Sequence, residues 1–176
     1  MTRGELLRRA VDVALVLAMM YMALLVLGVI RRGGVFEPGT AVPDFSVRSV
    51  EDGRVLRLAD FRGKVLVLDF FSTGCSSCRA GLSSVEGLVE TGAGRVAALL
   101  VSLDEPSTLA AFLKARGSPV TAAVDDGTAS RAYLVDTIPH IFVIDPEGRV
   151  QKDFIGDVRW ADVEPWLPAA TPGATQ

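Results

Sequence analysis

Lys64-Val65-Leu66-Val67-Leu68-Asp69-Phe70-Phe71-Ser72-Thr73-Gly74-Cys75-Ser76-Ser77-Cys78 is the stretch that decides the fold. Its first eight residues form a near-continuous apolar run of β-formers, the pattern of a central strand covered on both faces. Gly74 breaks that pattern. From Cys75 the period changes, with Leu82, Val85, Leu88 and Val89 recurring at helical spacing until Gly92 and Gly94 end the run. The two cysteines therefore stand at a strand-to-helix junction, on one helical turn, where their sulfurs can meet. At a helix start, unpaired N–H groups and the helix dipole favour negative charge, which lowers the pKa of the Cys75 thiol. Cys78, one turn further in, is expected to be more shielded. This division makes Cys75 the attacking thiolate and Cys78 the thiol that resolves the mixed disulfide. Two inert core cysteines, or half of a metal site, are the competing readings. The strand-to-helix setting favours redox chemistry over both.

Working outward, residues 45–50 and 54–58 are strand candidates joined by an Asp52-Gly53 hairpin signal. Residues 96–103 form a second buried strand. Asp104 is a candidate N-cap for a helix with Pro106 in its first turn, and Gly117 stands just past its end. Residues 120–124 are a strand, 128–134 a short helix and 141–144 a strand. An Asp145-Pro146-Glu147-Gly148 turn then leads to an antiparallel partner over 149–155. Residues 158–167 are read as a terminal helix, with Trp160, Val163 and Leu167 on one side and Trp166 also serving packing. Helices alternating with buried strands, closed by a hairpin, describe an α/β sandwich with a mixed sheet.

Residues 13–30 carry no charge over 18 positions. At about 1.5 Å per residue this run spans roughly 27 Å, close to a bilayer's hydrocarbon core. A cleaved signal peptide is the alternative, but the run is longer than such a segment needs and Gly28-Val29-Ile30-Arg31-Arg32 is a poor cleavage site. Arg3, Arg8 and Arg9 before it outnumber Arg31 and Arg32 after it, which favours a cytoplasmic N-terminus and a domain outside. The expected organisation is a tail over 1–9, a transmembrane anchor over 10–30, a flexible linker over 31–41, a folded domain over 42–167 and a disordered tail over 168–176. Membrane lipid is then a partner of the N-terminal helix.

Composition narrows the function classes. The 176 residues carry a net charge of −3, with no basic stripe after residue 35, so nucleic acid is not an expected partner. Two cysteines and one histidine cannot build a disulfide scaffold or a four-ligand zinc site. Arg79 stands where c-type haem attachment needs histidine. No cofactor or metal is expected.

Further motifs flank the central stretch. They are Val42-Pro43-Asp44-Phe45, Leu58-Ala59-Asp60-Phe61-Arg62-Gly63-Lys64, and Thr137-Ile138-Pro139-His140 before Ile141-Phe142-Val143-Ile144-Asp145. With these, residues 40–167 resemble the thioredoxin superfamily, specifically its membrane-anchored TlpA/ResA-like branch. The resemblance implies a thioredoxin-like three-layer sandwich with an N-terminal β-hairpin and a central α–β insertion over 102–126, preceded by one transmembrane helix. It implies an extracytoplasmic, periplasmic-side reductase of protein disulfides, with cytochrome c or copper-site maturation as settings and a membrane electron donor of the CcdA/DsbD type. It also implies that Pro139 is a cis-proline beside the disulfide, leaving the backbone of Ile138 free to pair with a substrate chain. Asp69 matches the buried acid of thioredoxins, able to relay a proton to the resolving thiol; a solvated strand-end acid is the alternative.

This chain departs from the pattern at four places. Gly74 replaces a tryptophan, Leu100 stands where thioredoxins place a lysine near the buried acid, and Gly81 stands where ResA-like reductases carry a glutamate. Ser76 and Ser77 match neither Gly-Pro nor Pro-His. Without the lysine, Asp69 is expected to be biased toward its neutral form. His140 either neighbours the disulfide or lines the groove. A Sco-like copper chaperone is the alternative function, with Cys75, Cys78 and His140 as ligands for Cu(I) and a copper titration of the reduced protein as the discriminator. A peroxidase of the peroxiredoxin kind is disfavoured, since no proline lies between Asp44 and Cys75.

Overall fold

The computed structural model describes residues 3–26 and 35–167. The chain divides into two units, Met1–Gly33 and Gly34–Gln176. The first contains helix α1, Arg3–Val26. It begins inside the expected tail, where Glu5 suits a first helical turn. Val13, Leu15, Val16, Leu17 and Met19 all stand exposed along it. Among the described residues no helix is long and apolar enough to cross a membrane. The expected span runs on through residues 27–30, which lie outside the described residues, as does the expected tail over 168–176.

The second unit is built on strands β1 (Ser46–Ser49), β2 (Val55–Arg57), β3 (Val65–Phe71), β4 (Val96–Ser102), β5 (Thr121–Val124), β6 (His140–Ile144) and β7 (Val150–Ile155). Helices α2 (Ser76–Thr91), α3 (Pro106–Arg116), α4 (Thr128–Ala132) and α5 (Trp160–Val163) connect or follow them. The sheet order is β2-β1-β5-β4-β3-β6-β7. β3, β4 and β5 run parallel, and β6, β7, β1 and β2 add antiparallel neighbours at the two sides.

Every residue of β3 is buried, as a strand covered on both faces requires. Alternation sends Val65, Val67 and Phe71 to one face, where they pack with Leu82 and Val85 of α2, Leu109 of α3 and Val163 of α5. Leu66, Leu68 and Phe70 face the other way, against Phe45, Leu58 and Ala129 of α4 and the ring of Tyr133. Helices thus cover both faces of a mixed sheet, and α3 and β5 fall within the stretch 102–126 expected to be an α–β insertion.

Four local expectations change. The second hairpin strand stops at Arg57, and Leu58–Phe61 becomes a 3-10 turn that buries Leu58. Glu105, not Asp104, is the N-cap residue of α3, because the Asp104 carboxylate is engaged elsewhere. The terminal helix stops at Val163 and passes into a 3-10 turn over Glu164–Trp166; proline at 165 has no N–H to continue the helical ladder. Trp160, Val163 and Leu167 do pack on the core, whereas Trp166 is 38% exposed. Finally, residues 35–41 of the expected flexible linker belong to the domain. Phe36 packs edge-on against Tyr133, Gly39 N–H bonds to the Val150 carbonyl at 2.7 Å, and Ala41 bridges to Arg149. Residues 31–34 lie outside the described residues.

Candidate active site

Cys75 caps α2. Its backbone is extended, at φ −84° and ψ 117°, and its Sγ accepts the Cys78 N–H at 3.1 Å. The two cysteines are joined as a disulfide with their Cα atoms 5.3 Å apart. Cys78 is 1% exposed and packs among Leu82, Val85 and Phe71, whereas Cys75 is only half-buried. The Ser77 hydroxyl lies 3.3 Å from Cys75 Sγ. In the reduced state the same N–H and hydroxyl are positioned to stabilise a Cys75 thiolate, together with the helix start.

The loop before Cys75 is held from two sides. Asp104, just past β4, accepts the Ser72 hydroxyl at 2.9 Å and the Thr73 N–H at 2.6 Å. Arg79, on the first turns of α2, donates to the Thr73 carbonyl at 2.7 Å. Burial pushes the Asp104 carboxyl upward, but the hydrogen bonds from Thr73, Ser72 and Ser102 outweigh it and keep the pKa below the ordinary range.

Asp69 is 2% exposed and points to the sheet face shared with Val67, Phe71 and Cys78. In register it lies between Leu100 on β4 and Ile141 on β6, both buried. Its neighbour on β4 is thus aliphatic, and among the described residues Asp69 Oδ1 meets no hydrogen-bond partner. Burial raises its pKa to about 7, and the negative charge of Asp157 adds to the rise.

Asp157 escapes sequence reasoning because it stands far along the chain, between β7 and α5. It accepts the Ser84 hydroxyl at 3.1 Å. Its Oδ1 sits 3.3 Å from where a Cβ on Gly81 would be, so a side chain at position 81 would press on it. Gly81, having no side chain, leaves that space to Asp157. Ser77 and the Asp104 clamp were missed as well, since nothing local marks them.

The Ile138–Pro139 peptide bond is cis. Pro139 is buried and its carbonyl accepts the Gly156 N–H at 3.3 Å, while Ile138 remains 37% exposed. His140 does not share the cysteines' face. It alternates with Ile141, so it falls on the side of Phe142, stacking on that ring at 4.5 Å. Its Nε2 is 3.1 Å from Asp153 Oδ2, which also accepts the Val35 N–H at 2.8 Å. The sheet thus lies between His140 and Cys78, and the ligand set expected for a copper chaperone does not assemble. Among the described residues no group of three or more His, Cys, Asp or Glu converges to hold a metal.

A half-exposed cysteine on a helix start, bonded to a sealed one and set in a thioredoxin-like sandwich, defines a thiol–disulfide oxidoreductase. The chain belongs to the AhpC/TSA family, whose model matches residues 38–153, and to the TlpA/ResA-like thioredoxins within this fold. It is 30% identical over 137 residues to the thiol-disulfide oxidoreductase ResA of Geobacillus thermodenitrificans, covering 76% of this chain and 78% of that protein. It is likewise 30% identical over 142 residues to ResA of Bacillus cereus, covering 76% and 79%. The crystal structure of a thioredoxin-family thiol:disulfide interchange protein from Chlorobium tepidum matches with a TM-score of 0.63 at 26% identity, over 76% of this chain and 99% of that one.

Proposed function

We propose that this oxidoreductase works outside the cytoplasm as a reductase of protein disulfides, anchored by residues 10–30. The uncharged run over 13–30 supports the anchor, since its length matches a bilayer core. The thiolate of Cys75 attacks a client disulfide; one client sulfur leaves as a thiolate and the other is held as a mixed disulfide. Cys78 gives its proton to the carboxylate of Asp69 and attacks Cys75 Sγ, releasing the second client thiolate and closing the Cys75–Cys78 bond. Two electrons pass to the client. A membrane dithiol donor of the CcdA/DsbD type returns them. The backbone of Ile138, a residue 37% exposed just before Pro139, receives the client as an added strand. Apocytochromes and copper-site proteins are the client classes this reading puts forward.

The observation that carries this reading is the contrast between the two sulfurs, one reachable and one sealed on the face of a buried acid. The test combines a reduction potential with two variants of the full chain. A midpoint below roughly −220 mV marks a reductase, whereas one near about −120 mV reverses the direction. Cys75→Ser should abolish insulin-disulfide reduction and Cys78→Ser should accumulate client adducts. Undiminished turnover by Cys75→Ser would refute the assignment.

A further inference from the structure

A cavity of about 390 Å³ opens between the ends of β3 and β4 and the loop leading to Pro139. Ser72, whose carbonyl accepts the Cys75 N–H at 3.1 Å, lines it on one side, and Ile138, before Pro139, on another. Phe70, Val101, Leu103 and Val135 make its lining largely apolar. Leu103 is 69% exposed and forms part of this apolar lining. The volume is at the lower end of the range for small-ligand sites, about 300–1,000 Å³, which suits a side chain rather than a folded surface.

Asp104, Asp125 and Asp136 line the cavity, and among the described residues no lysine or arginine lines it. Asp125 is turned inward, accepting the N–H groups of Ala129 and Ser130 at 2.9 Å each. Asp104 spends its oxygens on Ser72 and Thr73 but keeps its negative charge. Asp136 is exposed beside them. An incoming chain therefore meets an apolar recess with a negative rim next to Cys75.

We propose that this cavity selects clients: it takes one large apolar side chain from an extended polypeptide segment near the target disulfide, with an adjacent lysine or arginine held against Asp136 and Asp104. Acidic flanks are rejected by like charge, which sets specificity more than bare affinity. This inference rests on the disulfide-reductase reading above. The step served is the same exchange, two electrons passing from the Cys75–Cys78 dithiol to the client disulfide.

The test uses the full chain in detergent micelles, recycled by dithiothreitol, and measures kcat/KM on disulfide-closed synthetic peptides. Each carries a leucine beside one cysteine, followed by lysine, serine or glutamate; a fourth replaces the leucine with serine. Hydroxyethyl disulfide, small and uncharged, reads the exchange chemistry alone. The lysine peptide should exceed the glutamate peptide by about fivefold at low ionic strength, with the gap closing in 1 M salt. The serine-for-leucine peptide should be slower than its leucine counterpart, and Asp136→Lys, at an exposed position, should reverse the charge order. Equal rates on all peptides, with hydroxyethyl disulfide still reduced, would overturn the subsite and leave the oxidoreductase standing. A chain that reduces neither peptides nor hydroxyethyl disulfide would bring down both.

Discussion

Replacing Asp69 with asparagine should reverse part of the protein's pH response, and the size of the change follows from the carboxyl's surroundings. An unfolded aspartate titrates near 3.8, and in the folded protein Asp69 titrates near 7. Below 3.8 both states hold the proton and the group has no differential effect. Between the two values only the folded state holds it, so stability falls as pH rises, and the loss is complete above about 7. At about 1.4 kcal/mol per pH unit, the interval amounts to about 4 kcal/mol. Asparagine has nearly the same shape and does not titrate. The variant's unfolding free energy, minus that of the parent, should therefore grow by about 4 kcal/mol between pH 4 and pH 8. Urea unfolding of the full chain at stepped pH, followed by the fluorescence of Trp160 and Trp166, measures that difference. A difference that stays flat over this range would show that Asp69 keeps an ordinary acidity and would remove it as a proton acceptor at neutral pH.

The same titration checks two neighbours. Asp157→Asn removes the second cause of the raised pKa, so the transition should move to lower pH while remaining above the ordinary carboxylate range, because burial is the larger cause. Leu100→Lys puts a cation beside Asp69 and should lower its pKa by about 1–3 units, removing about half or more of the stability loss above pH 5. Away from the site, Gly148 adopts φ +77° in the turn between β6 and β7, and a Cβ there would strike the Arg62 guanidinium. Gly148→Ala should cost about 1–2 kcal/mol, visible as a lower Tm with disulfide reduction intact.

The strand-to-helix junction was legible because its physics is local. A continuous apolar run leaves no face for water, and that is how β3 lies. The placement of Leu100 near Asp69 came from the thioredoxin resemblance, and the parallel register of β3 and β4 pairs the two residues directly. His140 could have been placed as well: in a strand reading His140-Ile141-Phe142-Val143, odd and even positions part company, and the histidine follows Phe142. Asp157 could not be read in the same way. Its effect on Asp69 depends on α2, β3 and the loop after β7 converging, and no spacing in the chain encodes that meeting. Asp104 was misread for a related reason. A carboxylate ahead of a helix looks like a cap when only its chain neighbours are visible, yet here its stronger partners are Ser72 and Thr73 across the sheet end.

The sealing of Cys78 has a kinetic corollary. With only one of the two cysteine sulfurs in reach of solvent, whatever supplies electrons and whatever consumes them must use one doorway in turn. Supplier and consumer then exclude one another, each inhibits the other at high concentration, and double-reciprocal plots of turnover should run parallel rather than intersect.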